Sequence, residues 1–301
     1  MTQSIDVLRG VRILSLALNL PGPAALMRCR RMGATCIKLE PPSGDPMALY
    51  NAAGYAEMHE GVRVVAADLK TEEGQKVLHR ELARTDVLLT SFRPSAIEKL
   101  GMGWKQLHTA YPSLCHVAIV GAPGARAEEP GHDLTYLAGN GLVPGLELPA
   151  TLYADMSGSL MASEAVLKAA LLQSERYAGS GDTHPAGVYI EVALSDAAAY
   201  LSLPRQWGLT QPDGSVGGAH AGYRVYECRD GRVAVAALEP HFAAALCAAA
   251  GVDPGGPRDT RAMFARETHE SIAAFLASRT RGELDRLAME KDIPLHTMAA
   301  E

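Results

Sequence analysis

Aromatic residues are scarce, with 4 Phe and 2 Trp beside 10 Tyr in 301 residues, whereas glycine is abundant at 29. An interior short of rings but rich in Ala and Gly suits closely packed helices and tight turns. Positive charge is not in excess either: 28 Lys and Arg face 34 Asp and Glu, a net charge of −6. There is thus no basic field for nucleic acid, although a local basic pocket can still take a phosphorylated ligand. The cysteines (Cys29, Cys36, Cys115, Cys228, Cys247) are odd in number and form no C-x-x-C pair. That disfavours zinc ribbons and disulfide frameworks, so buried thiols in a reducing cytoplasm are expected. No apolar run approaches the ~20 residues of a bilayer span, and MTQSIDVLRG has no apolar leader core. A soluble cytoplasmic protein without membrane contact is the expectation. The strand-to-helix turns carry no G-x-G-x-x-G or G-x-x-x-x-G-K-[ST], and neither H-E-x-x-H nor G-x-S-x-G occurs. His59-Glu60 and His269-Glu270 each lack a second histidine. Dinucleotide redox chemistry, nucleotide hydrolysis, zinc proteolysis and serine hydrolysis therefore lose their usual signatures, and no metal is expected.

What is present is an ordinary globular balance, 48% apolar and 21% charged, in a chain long enough for one large or two ordinary domains. Short apolar runs alternate with amphipathic stretches. Val11–Leu18, Thr35–Glu40, Val64–Ala67, Asp86–Leu89 and Leu114–Val120 read as strands. Ala24–Met32, Thr71–Ala83 and the long Asp155–Gln173 read as helices, and Pro21-Gly22-Pro23 reads as the stop of the first strand. Tyr189–Val192 with Ala197–Leu203 adds a strand–helix pair. The alternation predicts βαβ units around a parallel sheet. The Gly/Pro-rich stretch 210–222 reads as a linker between a large α/β domain (1–209) and a small α+β domain (223–301). In the latter, Asp230-Gly231 marks a hairpin between Tyr223–Cys228 and Val233–Ala237, followed by two or three helices ending with Thr280–Lys291.

The order of short segments is informative. Leu8-Arg9-Gly10-Val11-Arg12 is followed by Pro21-Gly22-Pro23, then Gly33-Ala34 and Ile37-Lys38-Leu39-Glu40-Pro41-Pro42 with Gly44-Asp45-Pro46. Asp68-Leu69-Lys70, Phe92-Arg93-Pro94 and Leu100-Gly101-Met102-Gly103 continue the series. Over nearly the whole chain this resembles the family III CoA-transferases, which include α-methylacyl-CoA racemases. Three places resemble the racemase branch: Gly131-His132-Asp133, Ala154-Asp155-Met156-Ser157-Gly158 and Ala237-Leu238-Glu239-Pro240. The resemblance implies a large Rossmann-like parallel-sheet domain, a small α+β domain and an interlocked homodimer. It also implies that relatives continue past Asp292–His296 through a return arm this chain lacks.

The resemblance implies catalytic roles for His132, Asp155 and Glu239. Inverting a 2-methylacyl thioester takes two acid/base groups on opposite faces of one carbon, each working near neutrality. An imidazole suits one side and a carboxylate the other, with Glu239 fixing the tautomer of His132. Asp155 opens a helix, where free N–H groups could meet the enolate oxygen. For CoA, which enters only as part of the substrate, the resemblance points to Lys38, Ala67, Asp68, Leu69, Lys70, Phe92, Arg93, Pro94 and Asp133. Taken singly these residues read blandly: His132 as half of a surface pair, Asp155 as a helix cap, Glu239 as a first-turn residue. Two alternatives stay open. Asp155 could instead attack the thioester as the nucleophile of a CoA-transferase, through an aspartyl-CoA thioester, or the chain could bind CoA esters without turnover.

Overall fold

The computed structural model describes residues 5–180, 186–253 and 261–300. The chain divides into two units, Met1–Ser202 and Leu203–Glu301. In the first unit six strands alternate with helices. They are β1 (Arg12–Ser15), β2 (Thr35–Glu40), β3 (Arg63–Ala66), β4 (Val87–Thr90), β5 (Cys115–Val120) and β6 (Tyr189–Ala193). All pair in parallel, in the order β3-β2-β1-β4-β5-β6. The helices are α1 (Pro21–Arg31), α2 (Met47–Tyr50), α3 (Ala52–Met58), α4 (Glu72–Leu82), α5 (Pro94–Lys99), α6 (Trp104–Ala110), α7 (Asp133–Gly139), α8 (Tyr153–Ser180) and α9 (Leu194–Gln206). The mixed α/β class with a parallel sheet is as expected from the alternation.

Central strands in a sheet covered on both faces have no polar side to show, and β4 and β5 are buried at every position. Alternate residues enter opposite cores, as a period of two requires. Ile13, Cys36, Val87 and Val117 pack with Leu26 and Cys29 of α1 and Ala162, Val166 and Ala169 of α8. Leu14, Ile37 and Leu88 pack on the other face with Leu78 and Leu82 of α4, Ile97 of α5 and Leu107 of α6. Pro21-Gly22-Pro23 does not end a strand at a loop: it is the first turn of α1. Proline is tolerated there because the first N–H groups have no intrahelical acceptor. Gly22 is needed by the packing, since a Cβ on it would lie 2.1 Å from the Ala17 Cβ.

The second unit carries an antiparallel sheet of β7 (Tyr223–Cys228), β8 (Gly231–Ala236) and β9 (Leu295–Ala299). The hairpin turns on Arg229-Asp230, with Cys228 opposite Gly231. Tyr226, Val233 and Val235 pack against Leu246 of α10 (Pro240–Ala250), Ile272 and Leu276 of α11 (Arg266–Ala277) and Leu284 of α12 (Arg281–Lys291). The stretch 210–222 falls in this unit and includes a short helical turn at Ser215–Ala219. The closing strand β9 was not anticipated.

Candidate active site

In a parallel sheet the loops leave the carboxyl ends of the strands, and they part where the strand order changes direction, here between β1 and β4. A cleft of about 650 Å³ opens at that point. Its walls are the turn Leu18–Pro21 after β1, Ser91–Arg93 after β4, Gly121 after β5, and the first residues of α7 and α8. His132, Asp133, Tyr136 and Asp155 all line it.

His132 is the exposed N-cap of α7, with extended backbone. Its N–H donates to Thr135 Oγ1 at 3.0 Å, and the Thr135 hydroxyl donates back to the His132 carbonyl at 2.7 Å. This reciprocal pair fixes where the imidazole leaves the backbone. Asp155, the third residue of α8, is half-buried. Its N–H donates to Asp133 Oδ1 at 2.9 Å. Burial, and then the Asp133 carboxylate, raise the Asp155 pKa from 3.8 to about 6, while His132 pulls it down. A carboxyl in that range exchanges a proton near neutrality, which an ordinary surface aspartate does not.

The first turns of α7 and α8 bear on two expectations. The open N–H groups foreseen at the start of α8 are mostly taken: Tyr153 donates to Thr151, Asp155 to Asp133, and Met156 to Leu152. In the first turns of the two helices, the N–H groups without a partner among the described residues are that of Ala154 in α8 and those of Asp133 and Leu134 in α7. Asp133, foreseen as a CoA contact, is buried, and its carboxylate serves as an internal acceptor.

Tyr136 was missed. Its hydroxyl lies over two glycines: a Cβ on Gly121 would come within 2.3 Å of the Tyr136 oxygen, and one on Gly131 within 2.6 Å. Burial and the Asp155 charge raise its pKa, and Arg93 opposes them. The only sequence signal was its position four residues after His132, one helical turn on.

Of the CoA-directed residues, Phe92 and Arg93 line the cleft, Arg93 as the exposed N-cap of α5 with Pro94 next in the first turn. Glu128 lies nearby, held ionised by bonds from the Ser95 N–H and hydroxyl and then by Arg93. Ala67, Asp68, Leu69 and Lys70 form the turn between β3 and α4, also at the carboxyl edge of the sheet but outside the cleft lining. Lys70 is exposed, and its N–H donates to Asp68 Oδ1 at 3.0 Å. Lys38 must be corrected. It is fully buried, bonded to Asp45 and Glu40 and 2.9 Å from His59 Nε2, so its ammonium is not available to a CoA phosphate. Glu40, Asp45 and His59 have the donor types and proximity of a metal cage, but the Lys38 ammonium lies among them.

Glu239 stands in the second unit as the exposed N-cap of α10, before Pro240. All five cysteines are buried and free. Among the described residues no helix is long and apolar enough to cross a membrane.

The mouse α-methylacyl-CoA racemase is 30% identical over 295 residues, which cover 92% of this chain and 74% of that relative. A probable fatty acyl-CoA transferase of Mycobacterium tuberculosis is 32% identical over 217 residues, or 64% of this chain and 52% of that protein. The cinnamoyl-CoA:phenyllactate CoA-transferase of Clostridium sporogenes is 32% identical over 159 residues, or 48% and 38%. The chain thus spans about three quarters of the racemase and about half or less of the two transferases. A crystal structure of a hypothetical protein from M. tuberculosis superposes with a TM-score of 0.79 at 26% identity, covering 96% of this chain and 84% of that one. The sequence model of CoA-transferase family III matches residues 8–300. With the match running across both units, the chain belongs to CoA-transferase family III.

Proposed function

We propose that the protein is a racemase or epimerase of 2-methyl-branched acyl-CoA thioesters, acting by 1,1-proton transfer. The observation that carries this reading is a half-buried carboxyl, Asp155, with its pKa raised to about 6, on the same cleft as the His132 imidazole. One group, unprotonated, takes the α-proton; the C–H electron pair moves into an enolate; the other group, protonated, returns a proton to the opposite face. For the reverse inversion the roles exchange. In this reading the free N–H groups of Asp133 and Leu134, or of Ala154, receive the enolate oxygen, and Arg93 offers charge to the phosphates.

The transferase relatives support a second reading. In it the Asp155 carboxylate attacks the thioester carbonyl and expels CoA thiolate, leaving an acyl anhydride. The thiolate then attacks the aspartyl carbonyl, releasing the acid and leaving an aspartyl-CoA thioester for the acceptor. Incubation with a chiral 2-methylacyl-CoA in D2O separates the two. The racemase reading expects α-deuteration and loss of chirality without an acceptor acid, both depressed by His132→Ala, Asp155→Ala and Glu239→Gln. CoA exchange that requires an acceptor and leaves the α-carbon undeuterated would overturn it.

A further inference from the structure

A cluster of buried polar side chains lies outside the proton-transfer chemistry. Lys38 Nζ has three N–H donors and three acceptors: Asp45 Oδ2, Glu40 Oε1 at 3.0 Å and His59 Nε2 at 2.9 Å. His59 Nδ1 lies 2.7 Å from the Tyr55 carbonyl, which puts the ring proton on Nδ1 and the lone pair on Nε2, facing Lys38. The Tyr55 hydroxyl donates to Glu40 at 2.8 Å. Asp45 links the cluster to the cleft. Asp45, only 2% exposed, turns its other oxygen away from Lys38, and Oδ1 accepts the N–H groups of Asn19 at 3.0 Å and Met47 at 2.9 Å.

Those two backbone groups belong to the cleft. Leu18, Asn19, Leu20, Pro21 and Met47 all line it. Asn19 holds φ at 65°, a left-handed conformation that asparagine accepts more easily than most non-glycine residues and that turns its N–H towards Asp45. A charged acceptor makes a stronger bond to an N–H than a neutral one does, and here the charge is kept in place by a buried ammonium.

We propose that Lys38 and Asp45 form a positioning pair: the buried ammonium aims the Asp45 carboxylate, which clamps the Leu18–Pro21 turn and Met47 into one wall of the His132/Asp155 cleft. The pair sets affinity for an acyl thioester without touching it. This role rests on the acyl-thioester reading, but the clamp itself can be measured without ligand.

Isobutyryl-CoA, which has one exchangeable α-proton, is the probe, followed by α-deuteration in D2O. Asp45→Ala, which removes the acceptor, should raise KM about tenfold or more, and Asp45→Asn, which keeps an oxygen for the two N–H groups but gives up the charge that Lys38 aims, should raise it severalfold, while kcat falls less than about threefold in both. Amide exchange in the free protein should quicken in the peptide 17–22 and stay unchanged in β4 and β5. Glu40→Gln perturbs the same cluster without touching the turn, so it should lower Tm and leave KM and the 17–22 exchange as they are. The pair would be reduced to a stability element if KM followed Tm across all three variants. Unchanged exchange at 17–22 in Asp45→Ala would refute the clamp itself. If wild-type protein neither binds nor deuterates isobutyryl-CoA, the functional reading falls, and the exchange data still decide the clamp.

Discussion

Asp155 should weaken the fold that holds it. Its carboxyl pKa stands at about 6 in the folded protein, against 3.8 for an unperturbed aspartate. The folded state therefore holds the proton more tightly than the unfolded chain does. The cost of ionisation in the fold is absent below about pH 4, grows as the pH rises, and is complete above about pH 6. A shift of about 2 units corresponds to at most about 3 kcal/mol, and because the residue is only half-buried, solvent screening leaves about 1–2 kcal/mol. Asp155→Asn removes the titration and nearly preserves the shape. Its backbone N–H still donates to Asp133. The variant should be inactive yet more stable than wild type by about 1–2 kcal/mol at pH 8, with the gain shrinking towards zero near pH 4. Urea unfolding of both proteins at several pH values between 4.5 and 8 measures the difference directly. A variant equal to or weaker than wild type at pH 8, or a gain independent of pH, would refute the claim that burial and Asp133 destabilise the ionised carboxylate.

Asp133→Asn keeps an oxygen for the Asp155 N–H but removes the neighbouring charge, so the acid limb of the pH–rate profile should move to lower pH by a fraction of a unit. His116 is buried and its pKa is lowered to about 4 by desolvation, with Nε2 2.9 Å from the Thr90 hydroxyl. Its imidazole stays neutral in the fold while the unfolded chain takes up a proton below about pH 6.5, so stability is lost as pH falls from 6.5 towards 4, by up to about 3 kcal/mol. His116→Gln should flatten that part of the urea-midpoint profile; an unchanged slope would assign the acid sensitivity to other groups. Gly22→Ala drives a methyl into Ala17 at the start of α1 and should cost about 1–3 kcal/mol in urea unfolding.

Where the sequence punctuates itself, the fold is legible. β2 is bounded by Gly33-Ala34 and Pro41, and its six residues are read without error. The hairpin announces itself through Asp230-Gly231, although the turn proper is Arg229-Asp230. Pro21-Gly22-Pro23 misleads because the same residues suit a turn or the first turn of a helix. The choice is made by Gly22 packing on Ala17, a tertiary contact. β9 has no apolar alternation: its burial pattern is set by pairing with β8 and not by its own side chains. In the candidate site, residue types and order marked His132 and Asp155. The Asp133–Asp155 bond joins residues 22 apart, and no local pattern encodes it. Lys38 was pointed to by the resemblance alone. Its acceptors lie 2, 7 and 21 residues away, and only the closed fold brings them together.

The single bond from the Asp155 N–H to the Asp133 carboxylate has a consequence for which parts of the loop after α7 can vary. It fastens α7 and α8 together at the end where the proposed acid and base stand. In the chain between them Asn140 donates to the Ser195 carbonyl and Leu142 and Val143 pack beside Leu137 and Ala154, whereas Leu146 and Leu148 at its crest are 102% and 76% exposed. Insertions, deletions or a change of apolar character along that crest can therefore accumulate without moving the imidazole relative to the carboxyl. The geometry of the proposed centre and the character of that exposed crest are thus mechanically separate.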